Sequence, residues 1–191
     1  IKMDIRNMHE KSKMILTFWK EYCYWAPNNV AEKLKIARID WLIDLIDCLQ
    51  IWTEKAPALT DGELILAYAN LGCLVEGFLK LFYCVYYNDY IENVLRGKTE
   101  SIDKKYEPNN LRFESLKQLG RKTIWNSNTN NHWNLWIDTI QRKRNAIHGF
   151  NNIKIGNSLQ FMINIKKFGD FVELMNERLP YPDECTYLSQ R

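Results

Sequence analysis

The sequence predicts an all-α protein, an up-and-down bundle of about six helices, on three observations. Apolar residues recur at helical spacing along nearly the whole chain. Proline and asparagine clusters punctuate the ends of those runs. No strand-like alternation persists.

The first periodic run spans Met3 to Trp25, with Ile15, Phe18, Trp19 and Tyr22 on one stripe. Pro27 ends it, and Asn28-Asn29 are placed to cap the next helix. From Val30 to Lys55, Leu34, Ala37, Trp41, Leu42, Leu45, Ile46, Leu49 and Trp52 form a second stripe that Pro57 stops. Thr60-x-x-Glu63 fits a capping box opening a third helix. That helix is apolar on most faces through Phe82, as a core helix is. The polar stretch Arg96–Asn110 reads as a long loop, followed by a helix over Leu111–Trp125. Asn126–Asn131 is a second loop and His132–Gly149 a fifth helix that Gly149 stops. The last helix covers Ser158–Arg178, before the prolines of "LPYPDE". The whole, 1–191, is read as a single domain, with a helical pair over 1–57 and a core over 58–184.

Hydrophobic residues make up 46% of the 191 residues and aromatics 13%, which sets the chain apart from disordered proteins. A net charge of +3 is too small to identify a nucleic-acid binder by itself, so only a local basic cluster carries that argument. Cys23, Cys48, Cys73, Cys84 and Cys185 show no C-x-x-C spacing, and four of them fall in apolar helical runs. They read as reduced, buried thiols of a cytoplasmic protein, and no zinc-ligand spacing accompanies them. No secretory signal pattern is visible at the N-terminal end. Ile65–Tyr87 is long enough to span a bilayer, but Asn70, Glu76 and Lys80 interrupt it. A charge at mid-membrane costs ~2.5–3.5 kcal/mol, so a buried soluble helix without membrane contact is expected. No P-loop or G-x-G-x-x-G fingerprint is present, and no cofactor or metal is predicted.

The chemistry concentrates in "QRKRNAIHGF", Gln141–Phe150. At about 100° per residue of α-helix, Arg144 and His148 share a face, Arg142 points to one side, and Asn145 lies beside both. An imidazole transfers protons near neutrality, and a guanidinium holds a phosphate in its planar fork. The same cations near a helix C-terminus also complement the macrodipole, which is the commoner reason for them. A second feature is "LVEGFLKLF", where Glu76 and Lys80 stand one turn apart inside an apolar helix. Charges there must be paired or face a polar pocket, and Arg144 or Arg142 is the natural partner for Glu76.

"AYANLGCLVEGFLKLF" followed some sixty residues later by "RKRNAIHGF" resembles the HEPN superfamily (higher eukaryotes and prokaryotes nucleotide-binding domains), over roughly Asp61–Glu184. Its pattern is an E-x3-K/R element on a long helix and an R-x4–6-H element on a later one. Glu76 and Lys80 fit the first. Arg142-x5-His148 fits the second, with Asn145 as polar companion; Arg144 fits it only in a shortened form. The resemblance implies a metal-independent endoribonuclease that acts as a homodimer, each copy supplying its Arg and His to a composite cleft. Such a toxin or phage-defence effector would need an antitoxin or other regulatory partner. It also implies roles: His148 for proton transfer, Arg142 and/or Arg144 for the scissile phosphate, Glu76 to orient an arginine, Asn145 and Lys80 in support. Lys80, Lys143, Arg121 and Lys122 are candidate RNA contacts, the last two within a basic run with Arg112 and Lys117. The alternative is a non-catalytic HEPN module that binds a nucleotide, RNA or a protein. Trp125, Trp133 and Trp136 are expected in the core more than as base-stacking platforms. His9 and His132 are given no role.

Overall fold

The computed structural model describes residues 2–95, 104–126, 131–150 and 152–182, all helix, turn or coil without a strand among them. Eight α-helices appear in these residues: α1 (Lys2–Glu21), α2 (Asn28–Ile36), α3 (Ile39–Lys55), α4 (Asp61–Val85), α5 (Tyr87–Leu95), α6 (Phe113–Thr123), α7 (Asn131–Arg144) and α8 (Ser158–Arg178). Short 3₁₀ turns occupy Cys23–Trp25, Lys104–Tyr106, Pro108–Asn110 and Asn145–His148. The loops expected over 96–110 and 126–131 fall partly outside the described residues, and Asn151, Glu184 and Cys185 wholly so.

The all-α class is as the periodicity predicts, and the count of six is corrected to eight by two breaks. The first interrupts the run over 30–55 at Ala37 and Arg38. There Arg38 forks onto the Asp40 carboxylate at 2.6 and 3.0 Å and its guanidinium lies 3.9 Å above the Trp41 ring. These local contacts replace helical hydrogen bonds, so α2 packs on the 23–25 turn while α3 lies along α1. The second break is Tyr86, which leaves the helix at φ −91° and ψ 32°. Its hydroxyl then donates to the Arg178 carbonyl at 2.6 Å, and Tyr87 and Tyr90 turn to donate to Glu107 and to the Tyr106 carbonyl. Neither break has a glycine or proline at it. Asn28 and Asn29 are not caps: they stand in the first turn of α2, behind Pro27.

α4 is the axis. Its capping box forms, Thr60 accepting the Glu63 N–H and Glu63 accepting the Thr60 N–H at 2.9 Å. α3, α7 and α8 lie against it and α1 bridges α3 and α8, so α1, α3, α4 and α8 close a four-helix ring with α6 and α7 outside. Paired contacts give the directions. Leu42 meets Gly77 and Lys55 meets Glu63, so α3 and α4 are antiparallel. Tyr68 meets Phe161 and Phe78 meets Phe168, so α4 and α8 are parallel. Lys117 meets Asp138 and Trp125 meets Asn134, so α6 and α7 are antiparallel. Up-and-down alternation thus holds within α6–α8 and between α3 and α4. Tyr68, Phe78, Phe161, Phe168, Phe171, Trp19 and Trp125 are fully buried at the centre. Burying each such side chain contributes roughly 1.5–3 kcal/mol.

α4 is the one described helix long and apolar enough to cross a membrane, and most of it is buried against its neighbours. Two sequence expectations need correction at the thiols: Cys23 and Cys84 are buried, but Cys48 is half-buried and Cys73 exposed, all four reduced. Cys73 falls on the narrow stripe of α4 that also carries Leu66, Glu76 and Lys80, which no neighbour covers fully. Trp125, Trp133 and Trp136 are core residues, and Trp125 and Trp136 donate to Asn134 and Asn164.

Candidate functional site

The partly open stripe of α4 meets the end of α7. A Cβ added to Gly72 would lie 2.5 Å from both Cβ and Cγ of Arg144, so the absence of a side chain there lets the two helices approach at that point. One turn further along α4, Glu76 receives what this approach delivers. Its Oε2 accepts from Arg144 Nη2 at 2.8 Å and its Oε1 pairs with Lys80 Nζ at 2.9 Å. Arg144 Nη1 donates to Asn145 Oδ1 at 3.2 Å. Glu76 is largely buried, and both of its oxygens have a cationic partner. Of the two arginines open as its partner, the structure pairs Arg144.

The chain tightens immediately afterwards. α7 ends at Arg144, and Asn145–His148 is a 3₁₀ turn, not the α-helix expected through Gly149. A 3₁₀ step turns about 120°, so His148 is carried about 120° away from Arg144 and to within about 40° of Arg142. The shared face expected for Arg144 and His148 is therefore replaced by one for Arg142 and His148, both exposed. Gly149, at φ 74°, ends the turn with its N–H on the Ala146 carbonyl, and the Phe150 N–H returns to the His148 carbonyl at 2.9 Å. Ile147 is half-exposed and Phe150 fully exposed.

Three candidate RNA contacts are placed elsewhere. Lys143 is only 7% exposed; its Nζ donates to the Tyr68 hydroxyl at 3.0 Å, which also accepts from Asn164 at 3.2 Å. Burial, then the nearby Arg142, lowers its pKa below 10.5, and burial raises the Tyr68 phenol to about 12. Lys143 therefore faces the interior, where it ties α7 to α4. Arg121 and Lys122 stand at the far end of α6, next to Thr123, which bonds Tyr83. That is roughly 15 Å along the bundle from the motif turn. Lys117, in the same basic run, is buried and neutralised by Glu114 and Asp138. His9 is 3.0 Å from Asp47 on the α1–α3 side, and His132 lies against Trp133.

Two features near the motif have no place in the family pattern. One is Gly72, whose need is visible only once α4 and α7 are docked. The other is plain in the sequence: no Asp or Glu occurs from residue 139 to 169, while six Lys and Arg do. In a protein of net charge +3 this stretch alone carries +6, so the remainder is net negative. A groove of 830 Å³ between α1 and α3, lined by Arg6, His9, Gln50 and Glu54, contains none of the motif residues. The motif ends on an exposed turn, residues 147–150. Among the described residues no three His, Cys, Asp or Glu side chains group as metal ligands. No protein-family model matches the chain, and neither does a curated protein or a solved structure.

Proposed function

We propose that the protein is a HEPN-type endoribonuclease that cleaves RNA without a metal, as a homodimer in the cytoplasm, in the manner of a toxin or phage-defence effector. The observation that supports this most is the exposed pair on the motif turn: Arg142 and His148 on one side, next to the Glu76–Arg144–Asn145 cluster that fixes the turn's base.

In this reading the ribose 2′-hydroxyl attacks the adjacent phosphorus while His148 takes its proton. The 5′-oxygen of the next nucleotide leaves with a proton from the protonated imidazole of a second copy. The products are a 2′,3′-cyclic phosphate and a 5′-hydroxyl. Arg142 stabilises the charge that builds on the phosphoryl oxygens. Arg144 positions the turn and is itself held by Glu76, with Lys80 completing the charge balance. Asn145 fixes the Arg144 fork. Lys143 supports the turn from inside, and Arg121 and Lys122 lie outside the reacting region. A toxin of this type would need an antitoxin or other partner.

The test is cleavage of a mixed RNA pool in EDTA, wild type beside His148→Ala and Arg142→Ala. Cyclic-phosphate ends that disappear in both variants support the assignment; equal cleavage by His148→Ala removes it. A non-catalytic, RNA- or protein-binding HEPN module is the second reading. It is favoured by the three-residue gap between Arg144 and His148 and by the engagement of Arg144 with Glu76, and it predicts intact RNA in every lane.

A further inference from the structure

We infer that Phe150 is a stacking platform for an unpaired nucleobase next to the phosphate held at Arg142 and His148. The inference rests on the ribonucleic-acid reading of the motif turn, and it adds a residue outside the family pattern.

Phe150 is fully exposed, with no ring contact among the described residues. It is not on a loose end. The Gly149 N–H donates to the Ala146 carbonyl at 3.0 Å and the Phe150 N–H to the His148 carbonyl at 2.9 Å, so the backbone leading into Phe150 is hydrogen-bonded at both residues. Gly149 reverses the chain at φ 74°, a conformation that strains other residues. A whole aromatic ring thereby stands in water two residues after His148.

Charge decides what covers it. Arg142 and Lys154, on either side of the turn, are exposed without a carboxylate partner among the described residues, within the stretch 139–169 that contains no Asp or Glu. A second copy of the chain would bring the same uncompensated charge to the same place, so a bare self-contact there is opposed. A nucleic acid brings both a flat π-face for the ring and phosphates for the cations. Two motif turns in a dimer would then face one another across the strand. A duplex base is already stacked on both faces and cannot offer itself, so the platform selects unpaired nucleotides.

The experiment uses binding, which does not depend on cleavage. A fluorescent single-stranded 2′-O-methyl RNA, inert to 2′-oxygen attack, is titrated with wild type, Phe150→Leu and Phe150→Tyr by anisotropy, and oligomeric state is measured in parallel. Stacking predicts that Phe150→Leu weakens binding about tenfold, while Phe150→Tyr stays within about twofold of wild type. It also predicts that abasic nucleotides in the probe abolish the difference and that a duplex of the same sequence binds much more weakly. Equal binding by wild type and Phe150→Leu overturns the inference, as does no binding by wild type. Loss of the dimer in Phe150→Leu with the abasic probe equally affected assigns the ring to a protein contact instead, and also overturns it. The two readings fail separately: Phe150-dependent binding without cyclic-phosphate products removes the ribonuclease, and cleavage indifferent to Phe150 removes the platform.

Discussion

The two sides of the motif are built on opposite terms. On the inner side, Glu76, Arg144, Lys80 and Asn145 satisfy one another, and Lys143 is sealed against Tyr68. On the outer side, Arg142, His148 and Phe150 are exposed and have no side-chain partner among the described residues. The inner cluster holds shape and contributes to folding; the outer one contributes little to folding and is free to meet a ligand. Sequence adjacency conceals this, since Arg142, Lys143 and Arg144 are consecutive and three different fates befall them.

Substitutions on the inner side should therefore read out as stability, and those on the outer side as activity. The largest effect is expected at Gly72. Valine there collides with Arg144 and should destabilise the protein by ~3 kcal/mol in urea unfolding, with the Arg144–Glu76 pair broken. Glu76→Ala leaves Arg144 and Lys80 without a counter-charge and should cost ~2 kcal/mol. A double-mutant cycle with Arg144→Ala sharpens this, because a coupling near zero would mean the pair is no more than a surface contact.

Lys143→Met is expected to go the other way. A base whose folded pKa is lowered costs stability while protonated, and that cost is relieved as pH rises through the folded pKa towards 10.5. The methionine variant should thus be ~1 kcal/mol more stable at pH 7, with the advantage shrinking at alkaline pH. A variant less stable than wild type at both pH values would show that the Tyr68 contact outweighs burial. The smallest stability effects belong to Arg142→Ala and His148→Ala, within about 0.5 kcal/mol of wild type, while on the proposed function both should lose cleavage in EDTA.

Much of the fold is legible in the sequence because apolar periodicity and a capping box are local signals. α8 and the start of α4 lie where those signals place them. The break at Tyr86 is set by a tertiary partner, the Arg178 carbonyl, and the one at Ala37–Arg38 by local contacts of Arg38 with Asp40 and Trp41 that no glycine or proline marks. At the site, the need of a buried Glu76 for an arginine is readable, but the choice of Arg144 depends on Gly72 and the docking of α7. The 3₁₀ winding of Asn145–His148 is invisible to a pattern that assumes 3.6 residues per turn, and it is what moves His148 to the side of Arg142. The burial of Lys143 was equally hidden, because a lysine among arginines reads as surface.

The position of α4 also sets the order in which the chain can become safe. It is made well before α7 and α8, yet those two helices cover much of its apolar surface, Phe161 and Phe168 sealing Tyr68 and Phe78. Until residue 158 and beyond have left the ribosome, a helix with the length and composition of a membrane span stands uncovered on one side. Truncation ahead of α8 should therefore yield an aggregating chain, not a smaller folded one, as the solubility of a variant ending before residue 158 would show.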